Sequence, residues 1–548
     1  MCLMTEQERL VAAFVAHVAA MDLPRHHFLR TPEGDCLLTD DLRGLLWTEL
    51  DAWLQRELLS LDTTDQADLA LAKAVRQAAR KAVEPLASAE EARIAVWQAP
   101  RPVAETFWCV SLALLPPDLR AEAAANPAQR DAWRTLYGDD APSDAAMVDT
   151  RHHGKAFADR LLAALGDRQP DGLLYHADNH DALAHLASEL AGQVRCIYLD
   201  PPYNTGNEAF SYRDSYQRIA WQVMMTERLA AARELLADDG AIFVSIDNNE
   251  QARLRGILDD VFGERNFVET FLWTRTKTPP GLASKSRKIV EFVHCYERRL
   301  SPRPFRGRPL DNGDAPLLNT GNRQRTLAFP AGSIAANLPD GTLPAGPRGK
   351  VELLSDAEVR DGRIVNAIEV AGPFKWQQSF LDRELAGGTT LLVRSPAFSL
   401  RFQRPDSGRC KAPSNLLDAD LPTSLGTNES ASAELRAMGL SGFSYPKPVS
   451  LVAHLARMNT GPGDWVLDCF AGSGTTGAAV MALNRADGLG RRFALAECDD
   501  SFDSVLLPRL MKAAYASEWR DGRPSSADGL SQLWRVTRLA RLTGITAG

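Results

Sequence analysis

The spacing of apolar positions divides the chain into four stretches. Up to about residue 150 they recur at three- and four-residue intervals. In DDLRGLLWTELDAWLQRELLSL, for example, Leu45, Leu46, Leu50, Trp53, Leu54, Leu58 and Leu59 share a helical face. ADLALAKAVRQAARKAVEPL is rich in strong helix formers, and Pro100, Pro102, Pro116, Pro117 and Pro142 punctuate the rest. The pattern predicts a helical accessory domain over 1–150 without chemistry of its own.

Over 151–300 short apolar runs alternate with helical stretches. RCIYLD, stopped by two prolines, and AIFVSID read as buried strands. WQVMMTERLAAARELLADDG reads as a helix closed at Gly240, and QARLRGILDDVFG as another. Residues 301–440 are rich in Gly, Pro, Asn and Ser with short strand-like runs, which predicts an inserted, mostly β domain. The alternation resumes over 441–548: a helix (VSLVAHLARM), a strand (WVLDCF), a glycine loop, a helix and a strand (RFALAEC). Strands alternating with helices predict an α/β fold, a parallel sheet covered by helices on both faces.

Composition narrows the class. The 548 residues are 45% hydrophobic and 24% charged, enough for three or four globular domains. A formal net charge of -8 excludes a protein that coats nucleic acid by bulk charge, but not one with a local basic patch. Such a patch exists over 271–310, where ten basic residues, among them Arg275, Lys277, Lys285, Arg287 and Lys288, face only Glu291 and Glu297. These five are candidate phosphate contacts. The eight cysteines form no CxxC pair and have no histidine cluster beside them, so neither a metal centre nor a disulfide framework is expected. No run approaches a membrane span, and the opening MCLMTEQERL lacks a leader's basic start, so the expected compartment is the cytoplasm.

Two loops carry candidate chemistry. In WVLDCFAGSGTTGAAVMAL, Gly472 and Gly474 allow a tight turn and close approach of a ligand, and Thr475 and Thr476 are candidate helix caps. The loop has no lysine and is not a Walker phosphate loop. Glu497 ends the next strand, placed to accept hydrogen bonds from ribose hydroxyls. On these residues alone, a dinucleotide and S-adenosylmethionine are both candidates. The second loop, LDPPYNTG, follows a strand. Its prolines stiffen the backbone and remove two donors. Asp200 and the Pro201 carbonyl can then hold both protons of an exocyclic NH₂ while Tyr203 stacks on the ring that bears it.

With both loops in view, the chain resembles the β class of amino-methylating DNA methyltransferases, in which the catalytic LDPPY motif precedes the cofactor motif DCFAGSGTTG. IYLDPPYNTGNEAFSYRD, WQVMMTERLAAARELLADDGAIFVSIDNNE, LRGILDDVFGERNF and FSYPKPVSLVAHL are similar to the modification subunits of type III restriction systems. The resemblance implies a Rossmann-like methyltransferase sheet, with a target-recognition domain inserted over 301–440 between its two halves. It implies S-adenosylmethionine as cofactor and transfer of its methyl to N6 of an adenine flipped out of double-stranded DNA. Asp200, Pro201, Pro202 and Tyr203 would hold the base. Asp468, Phe470, Gly472, Gly474 and Thr475 would line the methionine end, Glu497 would bind ribose and Asp178 the adenine. Lys447, in YPKP, would reach the cofactor pocket from the start of its helix. Expected partners are DNA, a second copy of the chain and a separate restriction or defence subunit, since no nuclease or helicase motif is present. N4-cytosine methylation and a non-catalytic DNA-recognition subunit are the remaining alternatives.

Overall fold

The computed structural model describes residues 4–31, 34–58, 65–139, 142–206, 214–279, 285–307, 314–405, 410–418 and 425–541. Leu59, Arg308 and residues 207–213 of the LDPPY stretch lie outside them. The chain divides into two compact units, one of residues up to Phe305 together with Ser414 onward, the other Arg306–Pro413.

The first unit is built on a ten-stranded sheet. Its middle six strands are parallel, in the order Leu533–Leu539, Gly172–His176, Arg492–Glu497, Trp465–Asp468, Val194–Leu199 and Leu236–Ile246. Antiparallel pairs flank them, Val103–Ser111 with Met147–Asp149 on one side and Val290–Glu297 with Phe267–Thr274 on the other. Successive side chains of a strand face opposite ways, so an apolar run must be covered twice. Ile197 and Leu199 pack with Leu186, Met225, Leu229 and Leu258 of the helices Asn179–Leu190, Arg218–Leu235 and Gln251–Phe262. Cys196 and Tyr198 pack with Leu451, Leu455, Ala479 and Leu510 of Val449–Asn459, Thr475–Asp487 and Leu507–Tyr515. Helices therefore cover both faces, as the alternation predicts.

Two local expectations change. The helix expected to close at Gly240 stops at Leu235, and Gly240 lies inside the strand Leu236–Ile246. A Cβ at Gly240 would sit 2.8 Å from the Val194 carbonyl oxygen, so this glycine serves close strand packing and not a helix end. The N-terminal 150 residues are not wholly helical. The helices Glu6–Ala20, Leu42–Glu57 and Gln66–Gln98 bury Phe14, Leu46, Leu50, Trp53 and Val75 together, but a hairpin, His27–Thr31 with Gly34–Leu38, lies between them. Val103–Ser111 and Met147–Asp149 belong to the large sheet. The partner of Val103–Ser111 is Leu533–Leu539, with Phe107 opposite Val536, far beyond the reach of a local pattern.

The second unit is mostly β. A seven-stranded and a four-stranded sheet bury Phe329, Ile334, Val359, Val370, Phe374 and Leu391, beside the helix Gln378–Ala386. Its bounds are narrower than the stretch 301–440. Residues from Ser414 on return to the first unit, where Leu272 N–H donates to the Asn415 carbonyl (2.7 Å) and the Trp273 indole donates to that of Gly426 (3.0 Å).

Candidate active site

The strands Gly172–His176, Arg492–Glu497, Trp465–Asp468 and Val194–Leu199 are parallel neighbours, so their carboxyl ends form one edge. Asp178, Glu497, Asp468 and Asp200 follow along it in that order and line a cavity of about 1080 Å³, counted to its open mouth. Ligands of open α/β sheets sit at such an edge.

At the glycine loop the backbone turns left-handed twice, with φ +50° at Gly472 and +80° at Gly474. A Cβ on Gly472 would meet the Phe443 ring at 2.9 Å, so the cavity wall closes only around glycine. The Gly472 amide donates to Glu497 (2.8 Å), whose other oxygen accepts the amides of Cys498 (2.8 Å) and Asp499 (3.0 Å). Burial nevertheless outweighs these bonds and pushes the Glu497 carboxyl up to about 7. Asp468 is also pushed up to about 7 by burial, although it accepts from the Thr476 hydroxyl (2.6 Å) and the Phe470 amide (2.9 Å). The expected threonine caps do not form. Gly474 opens the helix without a side-chain cap, and Thr475 donates instead to the Lys447 carbonyl (3.2 Å). Both hydroxyls lie inside the first turn, where buried acceptors are nearer.

Asp178 caps its helix through the His180 amide (2.9 Å) and pairs with Arg228 (3.1 Å). Burial works against its charge, but Arg228 and Arg30 prevail and hold the carboxyl below its usual range. Glu497, Cys498 and Asp499 bring three potential metal ligands within 4.8 Å of one another, and Glu497 accepts three backbone amides with acceptor capacity to spare.

The Asp-Pro-Pro-Tyr loop is fixed from outside. The Trp221 indole donates to the Pro202 carbonyl (2.8 Å), while Asn204 donates to Glu250 (3.0 Å) and accepts from the Tyr216 amide (2.8 Å). Pro202 lines the cavity; Pro201 is buried and does not. The Asp200 carboxylate faces Lys447, whose ammonium donates to both oxygens at 2.8 and 2.9 Å. Lys447 lines the cavity, and its ammonium ends on the Asp-Pro-Pro-Tyr loop. Tyr203 lies behind that pair, outside the cavity lining. Its hydroxyl is 3.0 Å from Asp200 and 2.9 Å from Glu291, and the Lys447 ammonium stands 4.8 Å from its ring centre. Burial drives the Tyr203 phenol well above its usual range.

Sequence reasoning missed Glu291. It is 3% exposed in the strand Val290–Glu297, 3.5 Å from both Lys447 and Arg275. Its signal was an acid within the apolar run IVEFVHCY. Burial raises the Glu291 carboxyl. Burial also opposes the charge of Lys447, but Asp200 and Glu291 together hold its ammonium above the ordinary value. Arg30 and Tyr216, which line the cavity, were missed as well. No local pattern marks either.

None of the five candidate phosphate contacts lines the cavity. Arg275 is turned to Glu291, whereas Lys277, Lys285, Arg287 and Lys288 are exposed. Elsewhere in the basic stretch, Arg298, Arg299 and Arg303 pair with Glu234, Asp238 and Asp239. The local positive excess is therefore smaller than the sequence count.

A row of acids at the strand ends thus stands with a glycine loop beside a proline-stiffened acidic loop. Residues 194–312 and 409–501 match the family model described as DNA methylase. The chain is similar to the type III restriction-modification enzyme StyLTI Mod subunit of Salmonella typhimurium, 27% identical over 406 residues, 68% of this chain and 58% of that protein. To the EcoPI Mod subunit of Escherichia phage P1 it is 26% identical over 409 residues, 65% of this chain and 60% of that one. It thus spans about three fifths of the length of these two curated relatives. A solved structure, PvuII DNA methyltransferase (cytosine-N4-specific), overlaps 63% of this chain and 89% of its own at 13% identity and a TM-score of 0.34. The chain is thus similar to type III Mod subunits over part of their length, and its two segments matching the DNA methylase model flank residues 313–408.

Proposed function

We propose that the chain transfers a methyl group from S-adenosylmethionine to N6 of an adenine flipped out of double-stranded DNA, as the modification component of a restriction-modification system. The observation that carries this reading is the placement of Asp200 and the Asp468–Gly474 loop at the ends of adjacent parallel strands, lining one cavity.

The donor set separates the two cofactor candidates. Asp178, Asp468, Glu497 and Asp200 present four carboxyl groups to the cavity. Such a wall is rich in acceptors, with Asp200 and Asp178 already matched by Lys447 and Arg228, and suits a ligand bearing an amine and hydroxyls better than a pyrophosphate. Glu497 would accept the ribose hydroxyls, and Asp468 and the glycine loop would enclose the methionine end. When bound, S-adenosylmethionine supplies an electrophilic methyl on a sulfonium.

The chain's own residues do the rest. Asp200 accepts a hydrogen bond from the target amine and stabilises the positive charge that grows on nitrogen as the N–C bond forms and the C–S bond breaks. One N–H proton of the methylated nitrogen then passes to water, restoring a neutral amine. The fixed loop supplies orientation through Trp221 and Asn204. Asp at the first motif position is commoner among the adenine enzymes of the resembling family than among the cytosine ones. Exposed Lys277, Lys285, Arg287 and Lys288 are offered as phosphate contacts and the unit Arg306–Pro413 as the reader of flanking bases. A second copy and a separate restriction subunit are proposed as partners.

The test is transfer of labelled methyl to DNA followed by nucleoside analysis. N6-methyladenine is expected; N4-methylcytosine would move the assignment to the other base, and no incorporation would leave only a recognition subunit. Asp200→Asn should lower transfer by roughly a thousandfold while donor binding persists. Retained activity in that variant would refute the assigned role.

A further inference from the structure

The hairpin near the N-terminus reaches into the cofactor cavity. Arg30, on the strand His27–Thr31, lines it beside Ala177, Asp178 and Cys498. Its guanidinium donates to the Tyr216 hydroxyl at 2.7 Å and to the Cys498 sulfur at 3.2 Å. Tyr216 precedes the helix Arg218–Leu235, and Cys498 directly follows Glu497. The side chain therefore spans two walls of the cavity at the end bounded by Asp178 and Glu497.

The hairpin is anchored where it would need to be. The Phe28 amide donates to Glu227 at 3.0 Å, and His27 meets the same carboxylate at 3.0 Å. Glu227 pairs with Arg228 at 2.9 Å, and Arg228 holds Asp178 at 3.1 Å. One strand thus touches the cavity directly through Arg30 and indirectly through Glu227, Arg228 and Asp178. Arg228 is 2% exposed, so the link is internal and held in place by packing.

We propose that Arg30 is a binding residue for the adenosine end of the cofactor, supplied by the N-terminal segment to a site otherwise built by the sheet. This rests on the cofactor reading above. A guanidinium whose N–H groups are held in its plane by Tyr216 and Cys498 leaves its flat face for a purine, a geometry that arginine adopts and lysine does not. The N-terminal segment then contributes to cofactor affinity.

The test is isothermal titration of the full chain with S-adenosylmethionine and with 5′-methylthioadenosine, which keeps the adenosine and lacks the amino-acid end. Arg30→Met should weaken both ligands about tenfold, with the melting midpoint of the unliganded protein unchanged. Arg30→Lys, which keeps the charge but loses the planar face, should recover only part of the loss. Equal affinity in wild type and both variants would overturn the proposal. So would a loss confined to S-adenosylmethionine, which would move Arg30 to the other end. A loss matched by lowered melting midpoints in both variants would reduce Arg30 to a strut and also overturn it. Absence of any binding by the wild-type chain would instead refute the cofactor reading itself.

Discussion

The Lys447 ammonium lies 2.8 and 2.9 Å from the two carboxylate oxygens of Asp200, where the protons of a target amine would have to bind. A cationic amine of the chain itself thus stands at the site of the proposed substrate's amine. Glu291, 3.5 Å from the same ammonium, offers it a second acceptor when the base arrives.

Lys447→Met should expose what this pair contributes. Asp200 and Glu291 would be left bridged by the Tyr203 hydroxyl, with Arg275 still beside Glu291 but no ammonium on Asp200. Because Lys447 is 7% exposed and Asp200 24%, the loss should be on the order of 3 kcal/mol, read by chemical denaturation. Glu291, whose carboxyl burial already raises, would lose one of its two cations and take up a proton more readily, so methyl transfer should fall, and the deficit should shrink as pH rises. A deficit independent of pH would argue against proton uptake by Glu291.

Glu291→Gln removes the second acceptor and leaves Lys447 bound to Asp200 alone. Base placement should suffer: KM for DNA should rise about tenfold while the Kd for S-adenosylmethionine is unchanged. If donor affinity falls instead, Glu291 supports the cofactor half and not the base half.

Gly472→Ala places a methyl 2.9 Å from the Phe443 ring at a backbone φ of +50°. The left-handed strain costs about 1 kcal/mol, and the displaced ring should narrow the cavity. Donor affinity should drop at least tenfold while the far-UV spectrum stays native. Unchanged binding would mean that this wall does not meet the ligand.

Cofactor binding should depend on pH through Glu497. Its carboxyl, pushed up to about 7 by burial, is half protonated near neutrality, and ribose hydroxyls donate best to the ionised form. Affinity for 5′-methylthioadenosine should therefore fall roughly tenfold from pH 8 to pH 6. Binding at pH 7 should release a proton, detected by titration in buffers of different ionisation enthalpy. The same raised value makes the acid favour the unliganded fold below its unfolded range near 4.5, an advantage lost as pH rises through about 7. Identical heats in all buffers would contradict the assignment.

Much of the site was legible in sequence because its parts are local. A glycine loop after WVLD and a double proline after CIYL are set within a few residues by backbone sterics. Both loops prove to line one cavity. What each side chain reaches was not legible. The motif around Lys447 fixes its backbone, but its partners Asp200 and Glu291 lie on two other strands or strand ends. The fate of Thr475 and Thr476 was misread for the same reason, since their hydroxyl partners are set by packing and not by helix propensity.

The sequence alone determined the alternation of strands and helices, the two candidate loops and the mostly β insertion, because periodicity and turn chemistry act over a few residues. Only the tertiary structure decided the strand order that lines up Asp178, Glu497, Asp468 and Asp200. It also decided the entry of Val103–Ser111 into the sheet and the reach of Arg30 into the cavity. These depend on pairings hundreds of residues apart, where burial of both sheet faces selects the partner and no short-range pattern records the choice.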